Sequence, residues 1–179
     1  MERKLDNHLL AHLSYRLTTQ HEVIVTEGLT YILQQSSICR KALHDIVLSF
    51  ECELPETLRF YSELTGENLE RPDVVGLADD GQERFIIEGK FEEGLTDNQP
   101  NNYLTRLLPE NDGMLLFAVP ELRVENLWRE LLDRAGQKFS LSNQRDLSDG
   151  SKSVDINTHH KLGIISWENV LNGFLHPAQ

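Results

Sequence analysis

The chain has 179 residues, 39% of them hydrophobic, and its 29 acidic residues outnumber 17 basic ones for a formal net charge of −12 at pH 7. That length and apolar content suit one compact domain over 1–179, with a core region of about 23–170 and room for an appended helix or insertion. No apolar run approaches the roughly 18 residues of a membrane span or forms a signal peptide, Cys39 and Cys52 form no CxxC motif, and no linear basic tract marks a nucleic-acid-binding arm; the expectation is a soluble, cytoplasmic protein with reduced core thiols.

In chain order, His8 and His12 lie four apart on an expected N-terminal helix, with no third ligand near in sequence, so a surface or core role is expected for them. "HEVIVTEGLTYILQQSSICRKALHDIVLSF" places Leu29, Ile32, Leu33, Ala42, Leu43, Ile46 and Val47 at helical spacings. It predicts one long helix or two short ones, with Thr26 as N-cap. "ETLRFYSEL" predicts a strand, "TGEN" a turn, and residues 72–78 and 83–91 two further strands. A helix over about 99–108 follows, then a buried strand "GMLLFAVP", an amphipathic helix "VENLWRELLDRAG" ended by Gly136, and a buried strand "KLGIISW". Residues 137–160, rich in Ser, Asp and Asn, are expected to be a polar loop or insertion. Trp128 and Trp167 are expected to anchor the core. His159 and His160 lie in the polar segment, with substrate contact as one reading and no role as the other. The fold class is α/β, a central mixed sheet flanked by helices in the order α-β-β-β-α-β-α-β.

Charges within the two strands around Asp80-Gly81 need an explanation. If Asp80-Gly81 forms a two-residue turn, residues whose numbers sum to 161 face one another, and Asp73 lies opposite Glu88. Strand periodicity puts Lys90 on the same face, while Val74, Phe85, Ile87 and Phe91 form the apolar back. Two carboxylates about 5 Å apart repel by about 3 kcal/mol at an effective dielectric near 20. A divalent cation offsets this naturally, because carboxylate oxygens suit magnesium and manganese, and a nearby lysine can then act on water. The bland alternative is an exposed hairpin on which Lys90 merely screens two solvated acids.

Pro72-Asp73 followed by Glu88-Gly89-Lys90 resembles the signature of the PD-(D/E)XK nuclease superfamily, and the helix, three strands, helix and strand over about 23–120 resemble its core. Gln99 and Tyr103, at i and i+4 on the next helix, resemble the QxxxY motif of the RecB-like branch. The resemblance implies a restriction-endonuclease-like fold and a Mg2+- or Mn2+-dependent deoxyribonuclease. It implies Asp73, Glu88 and the Gly89 carbonyl as metal ligands, Lys90 assisting the attacking water, and Gln99 and Tyr103 lining the site toward substrate. Glu27, in "TEGLTYILQ", resembles the acidic residue that an early helix contributes to the metal site in related nucleases; its plain reading is a Glu favoured near a helix start. The resemblance also suggests defence against phage or mobile DNA. The acidity of the chain calls for a homodimer or a larger complex to supply DNA-binding surface. A rival expectation is a catalytically silent, nuclease-like subunit that serves as an interaction or assembly module.

Overall fold

The computed structural model describes residues 21–62, 66, 71–107 and 111–176. His8, His12 and most of the turn expected at 65–68 lie outside the described residues.

Helix α1 (His21–Gln35) and helix α2 (Ser37–Ser49) are two helices, because Ser36 turns extended and its side chain accepts the Cys39 N–H at 3.2 Å. The break is an N-cap written into the sequence. Thr26 is not a cap: α1 already runs through the apolar segment before it, and the Thr26 hydroxyl turns back to the Val23 carbonyl as a mid-helix threonine does. Strands β1 (Arg59–Ser62), β2 (Val74–Leu77) and β3 (Glu83–Gly89) follow as an antiparallel meander. Then come helix α3 (Asn101–Arg106), strand β4 (Gly113–Val119), a 3-10 turn (Glu121–Arg123) and helix α4 (Val124–Gly136). Strands β5 (Leu141–Asp146), β6 (Lys152–Ile156) and β7 (His160–Ser166) lead into helix α5 (Trp167–Leu175).

The described residues thus form an α/β protein with a seven-strand mixed sheet and five helices. The strand order is β1-β2-β3-β4-β7-β6-β5, with β3, β4 and β7 parallel at the centre and antiparallel strands on both flanks. Successive side chains leave a strand on opposite faces, so the sheet divides two cores. Phe85, Ile87, Met114, Leu116 and Ile165 meet Leu33, Leu43 and Val47 beneath α1, α2 and α5. On the other face Ile86, Leu115, Phe117 and Ile164 meet Leu104, Leu127, Trp128 and Leu131 beneath α3 and α4. Central β4 is buried along its whole length, as a parallel strand covered on both faces must be. Among the described residues no helix is long and apolar enough to cross a membrane.

Further sequence-based expectations are corrected. Residues 137–160 are not a loop: β5 and β6 form a hairpin that extends the sheet beyond β7. Their polar composition conceals the anchors Val154 and Ile156, which reach the α3/α4 core, and Gly150 takes the positive φ of the turn. Trp167 is not the last strand residue, because the Ser166 hydroxyl accepts the Asn169 N–H at 3.0 Å and starts α5 there. The β2–β3 loop has three residues, Asp79–Gly81, rather than two: Ala78 N–H bonds the Gln82 carbonyl at 2.9 Å, and Gly81 sits at φ +79°. A bulge then takes up Arg84, pairing Leu77 with Glu83 but Gly76 with Phe85. The longer loop and the bulge cancel, and Val74 faces Ile87 as expected. The paired segments are also shorter than 72–78 and 83–91, so Asp73 and Lys90 lie just past the ladder.

Candidate active site

The site lies at the C-terminal end of β3. The run Phe85-Ile86-Ile87 is apolar on both faces and is held between the two cores, so the chain reaches Glu88, Gly89 and Lys90 with its direction already determined. Lys90 N–H continues the parallel pairing to the Ala118 carbonyl at 3.0 Å. Glu88 and Lys90 alternate onto the α3/α4 face, and each is only 5% exposed. There Glu88 Oε1 lies 3.0 Å from Lys90 Nζ and accepts a 2.6 Å hydrogen bond from Gln99 Nε2. Gln99 Nε2 also donates to Tyr103 Oη at 3.2 Å, and Gln99 Oε1 accepts the Thr96 N–H at 3.1 Å. Pro100, at the α3 N-cap position, lets Gln99 precede the helix without interrupting it.

Asp73 approaches from the start of β2. Its Oδ2 accepts the Gly89 N–H at 2.7 Å, so the two acids flank Gly89: one bonds its amide, the other immediately precedes it in the chain. Gly89 has no room for a side chain. A Cβ there would lie 2.9 Å from Thr26 Cγ2, 3.0 Å from Trp167 Cζ2 and 3.4 Å from Asp73 Oδ2. Phe91 stacks on Trp167 with ring centroids 5.4 Å apart, which fixes the chain immediately after Lys90.

Burial dominates the electrostatics. It pushes the Glu88 carboxyl above its ordinary range, against the opposing pull of the Lys90 charge, the Gln99 amide and the Asp73 backbone. Burial, with the Glu88 charge beside it, also raises Tyr103, which keeps its phenol protonated. Glu88 Oε2 is buried with no hydrogen-bond partner among the described residues. A buried carboxylate oxygen left in that state is costly unless something binds it.

Glu88, Lys90, Gln99 and Tyr103 therefore meet in one hydrogen-bonded group, and Asp73 joins it through Gly89. Glu27 does not join them: it is exposed on α1, and the residue that α1 turns toward Gly89 is its neighbour Thr26. Among the described residues no three His, Cys, Asp or Glu side chains are placed to hold a metal. Two carboxylates and a carbonyl remain a suitable oxygen donor set for magnesium, which keeps waters and substrate phosphate in its other positions. The unpartnered Glu88 Oε2 fits such a role.

Sequence reasoning missed Thr96, which orients the Gln99 amide, and Arg123 and Arg134, whose guanidiniums bond main-chain carbonyls of the loop 91–99. The available signal was the length of that loop, which carries "EEG" and must be held by something. His159 and His160 lie at the opposite end of the parallel strands and take no part in this group. No family model matches the chain, and no curated protein or solved structure matches it.

Proposed function

We propose that this protein is a Mg2+- or Mn2+-dependent nuclease of restriction-endonuclease-like architecture that hydrolyses DNA phosphodiester bonds. The observation that carries the reading is the buried Glu88–Lys90 pair, held by Gln99, with one carboxylate oxygen unpartnered, beside Asp73. A buried ion pair adds little to stability compared with apolar residues of the same volume, so its presence here favours a chemical purpose. Its location supports the same reading, since open α/β sheets bind ligands outside the carboxyl ends of their parallel strands.

Asp73, Glu88 and the Gly89 carbonyl would hold the metal, which when bound supplies Lewis acidity that offsets charge developing on the phosphate. Lys90 donates a hydrogen bond to the water; as the water oxygen attacks phosphorus and the scissile P–O bond breaks, the ammonium passes a proton to the leaving oxygen and takes up the proton that the water loses. Gln99 keeps Glu88 an acceptor, and Tyr103 Oη accepts a second bond from the same Gln99 nitrogen. The surrounding apolar cores exclude bulk water and strengthen each of these interactions. The net charge of −12 makes a homodimer, or a larger complex that supplies cationic surface, part of this proposal, as is a role in defence against mobile DNA.

The same charge favours one other reading, a catalytically silent subunit that serves in assembly. Purified protein should cut DNA in magnesium and show a magnesium-dependent rise in melting temperature by mass action. Lys90→Ala should abolish cleavage and retain most of the melting shift; Asp73→Asn should diminish both. An equal shift in wild type and Asp73→Asn would place the cation elsewhere. A shift confined to wild type, without cleavage of DNA or RNA, would favour the silent subunit.

A further inference from the structure

The Gln99 amide presents its nitrogen, not its oxygen, to Glu88. That orientation is not decided by Glu88 alone. Gln99 Oε1 is committed to the Thr96 N–H at 3.1 Å, so the main chain at Thr96 determines which end of the amide faces the acid. Arg134, in the last turn of α4, donates from Nη1 to the carbonyls of both Thr96 and Gln99, the latter at 3.1 Å. Its other terminal nitrogen, Nη2, bonds Glu130 Oε1 at 2.7 Å, which orients the guanidinium plane. The Asn101 side chain returns a 3.0 Å bond to the Arg134 carbonyl and ties the start of α3 to the end of α4. One planar cation thus spans the two residues whose mutual hydrogen bond aims the amide.

We propose that Arg134 is a positioning residue of this site: by clamping Thr96 and Gln99 together it holds the Gln99 amide nitrogen on Glu88. The clamp stands on geometry alone; its consequence for cleavage rests on the nuclease reading. A lysine reaches the same region with one ammonium but lacks the rigid fork, so it substitutes only in part. The clamp is distinct from that of Arg123, which holds Phe91 and Glu93 nearer the start of the loop.

The test follows the side-chain NH2 of Gln99 by NMR in the full chain, with its resonance assigned by its loss in Gln99→Ala. In Arg134→Met these protons should exchange with solvent about tenfold faster than in wild type, because the amide is released from its buried bonds. Arg134→Lys should fall between the two and keeps the test open if Arg134→Met fails to fold. Arg129→Met, on an exposed position of the same helix, should leave Gln99 unchanged. In the cleavage assay kcat should fall about ten- to a hundredfold in Arg134→Met, with KM little altered, as for a misaimed catalytic group. Unchanged Gln99 exchange in both Arg134 variants would overturn the proposal, and so would an equal effect of Arg129→Met. If Gln99 is released but wild-type protein cuts neither DNA nor RNA, the clamp stands and the nuclease reading fails.

Discussion

The two ends of the parallel strands treat charge in opposite ways. At the C-terminal end Glu88 and Lys90 are buried together, and Glu88 also accepts a hydrogen bond from a neutral amide. At the N-terminal end each pair keeps one partner at least a fifth exposed: Asp112 beside His159 at 3.3 Å, Asp155 with Lys161, Glu83 with Arg106 at 2.5 Å, and Asp80 with the buried Arg84 at 2.6 Å. The buried histidine there, His160, is kept toward its neutral form by burial. Surface pairs cost little to form and contribute little. The Glu88–Lys90 pair meets a large desolvation penalty that its attraction does not clearly exceed. At the N-terminal end every pair retains a partly exposed member, and this difference sets the candidate site apart.

Four measurements sharpen or break that contrast. The largest effect belongs to breaking the buried pair. Lys90→Met leaves Glu88 buried without its cation and should cost about 3–5 kcal/mol in urea unfolding, whereas Glu88→Leu with Lys90→Met should recover most or all of it. A single variant that costs no more than a surface pair would remove the distinction between the two ends.

Next come the glycines that seat each end. A Cβ at Gly89 meets atoms at 2.9 and 3.0 Å on α1 and α5, while one at Gly113 meets the His160 ring at 3.1 Å and the Arg84 carbonyl at 3.3 Å. Gly89→Ala should destabilise by about 1–3 kcal/mol and Gly113→Ala by less. Equal losses would show that the Glu88 end is no more tightly packed than the other.

The third test uses pH. Glu88 is raised in the native state, so between its unfolded value near 4.5 and its native value the native protein binds more protons, and stability falls as pH rises through that window. His160 is lowered, so between its native value and 6.5 the unfolded chain binds more protons, and stability falls as pH drops through that window. Measured against Glu88→Gln, the wild-type stability difference should decline toward alkaline pH. Against His160→Asn it should decline toward acid. Slopes of the same sign would refute the opposite treatment of the two groups. The smallest effect is expected for Asp112→Asn, which removes the exposed His159 partner and should change stability by about 1 kcal/mol or less.

Much of the C-terminal end was legible because it is local. An Asp-Gly turn between strand-like runs, Glu88-Gly89-Lys90, and Gln99 four residues before Tyr103 all lie within about 30 residues, where a period of two or of 3.6 assigns faces directly. The expected pairing of Val74 with Ile87 emerged although the turn was misjudged, because the bulge at Arg84 compensates for the longer loop. The 137–160 hairpin was not legible: its apolar anchors are few, and the β5–β6 pair joins the rest of the sheet only through β7, which comes later in the chain.

The sequence by itself determined the α/β class, the separate helix α4, the buried strands β4 and β7, and which polar residues stand at the end of β3, since all of these follow from short-range periodicity. Only the tertiary structure decided that Thr26 rather than Glu27 faces Gly89, that Glu88 and Lys90 are enclosed rather than solvated, and that Arg134 reaches Gln99 across 35 positions of chain. Helix phase, burial and long-range hydrogen bonds depend on how separate elements pack, and no local pattern of residues encodes that packing.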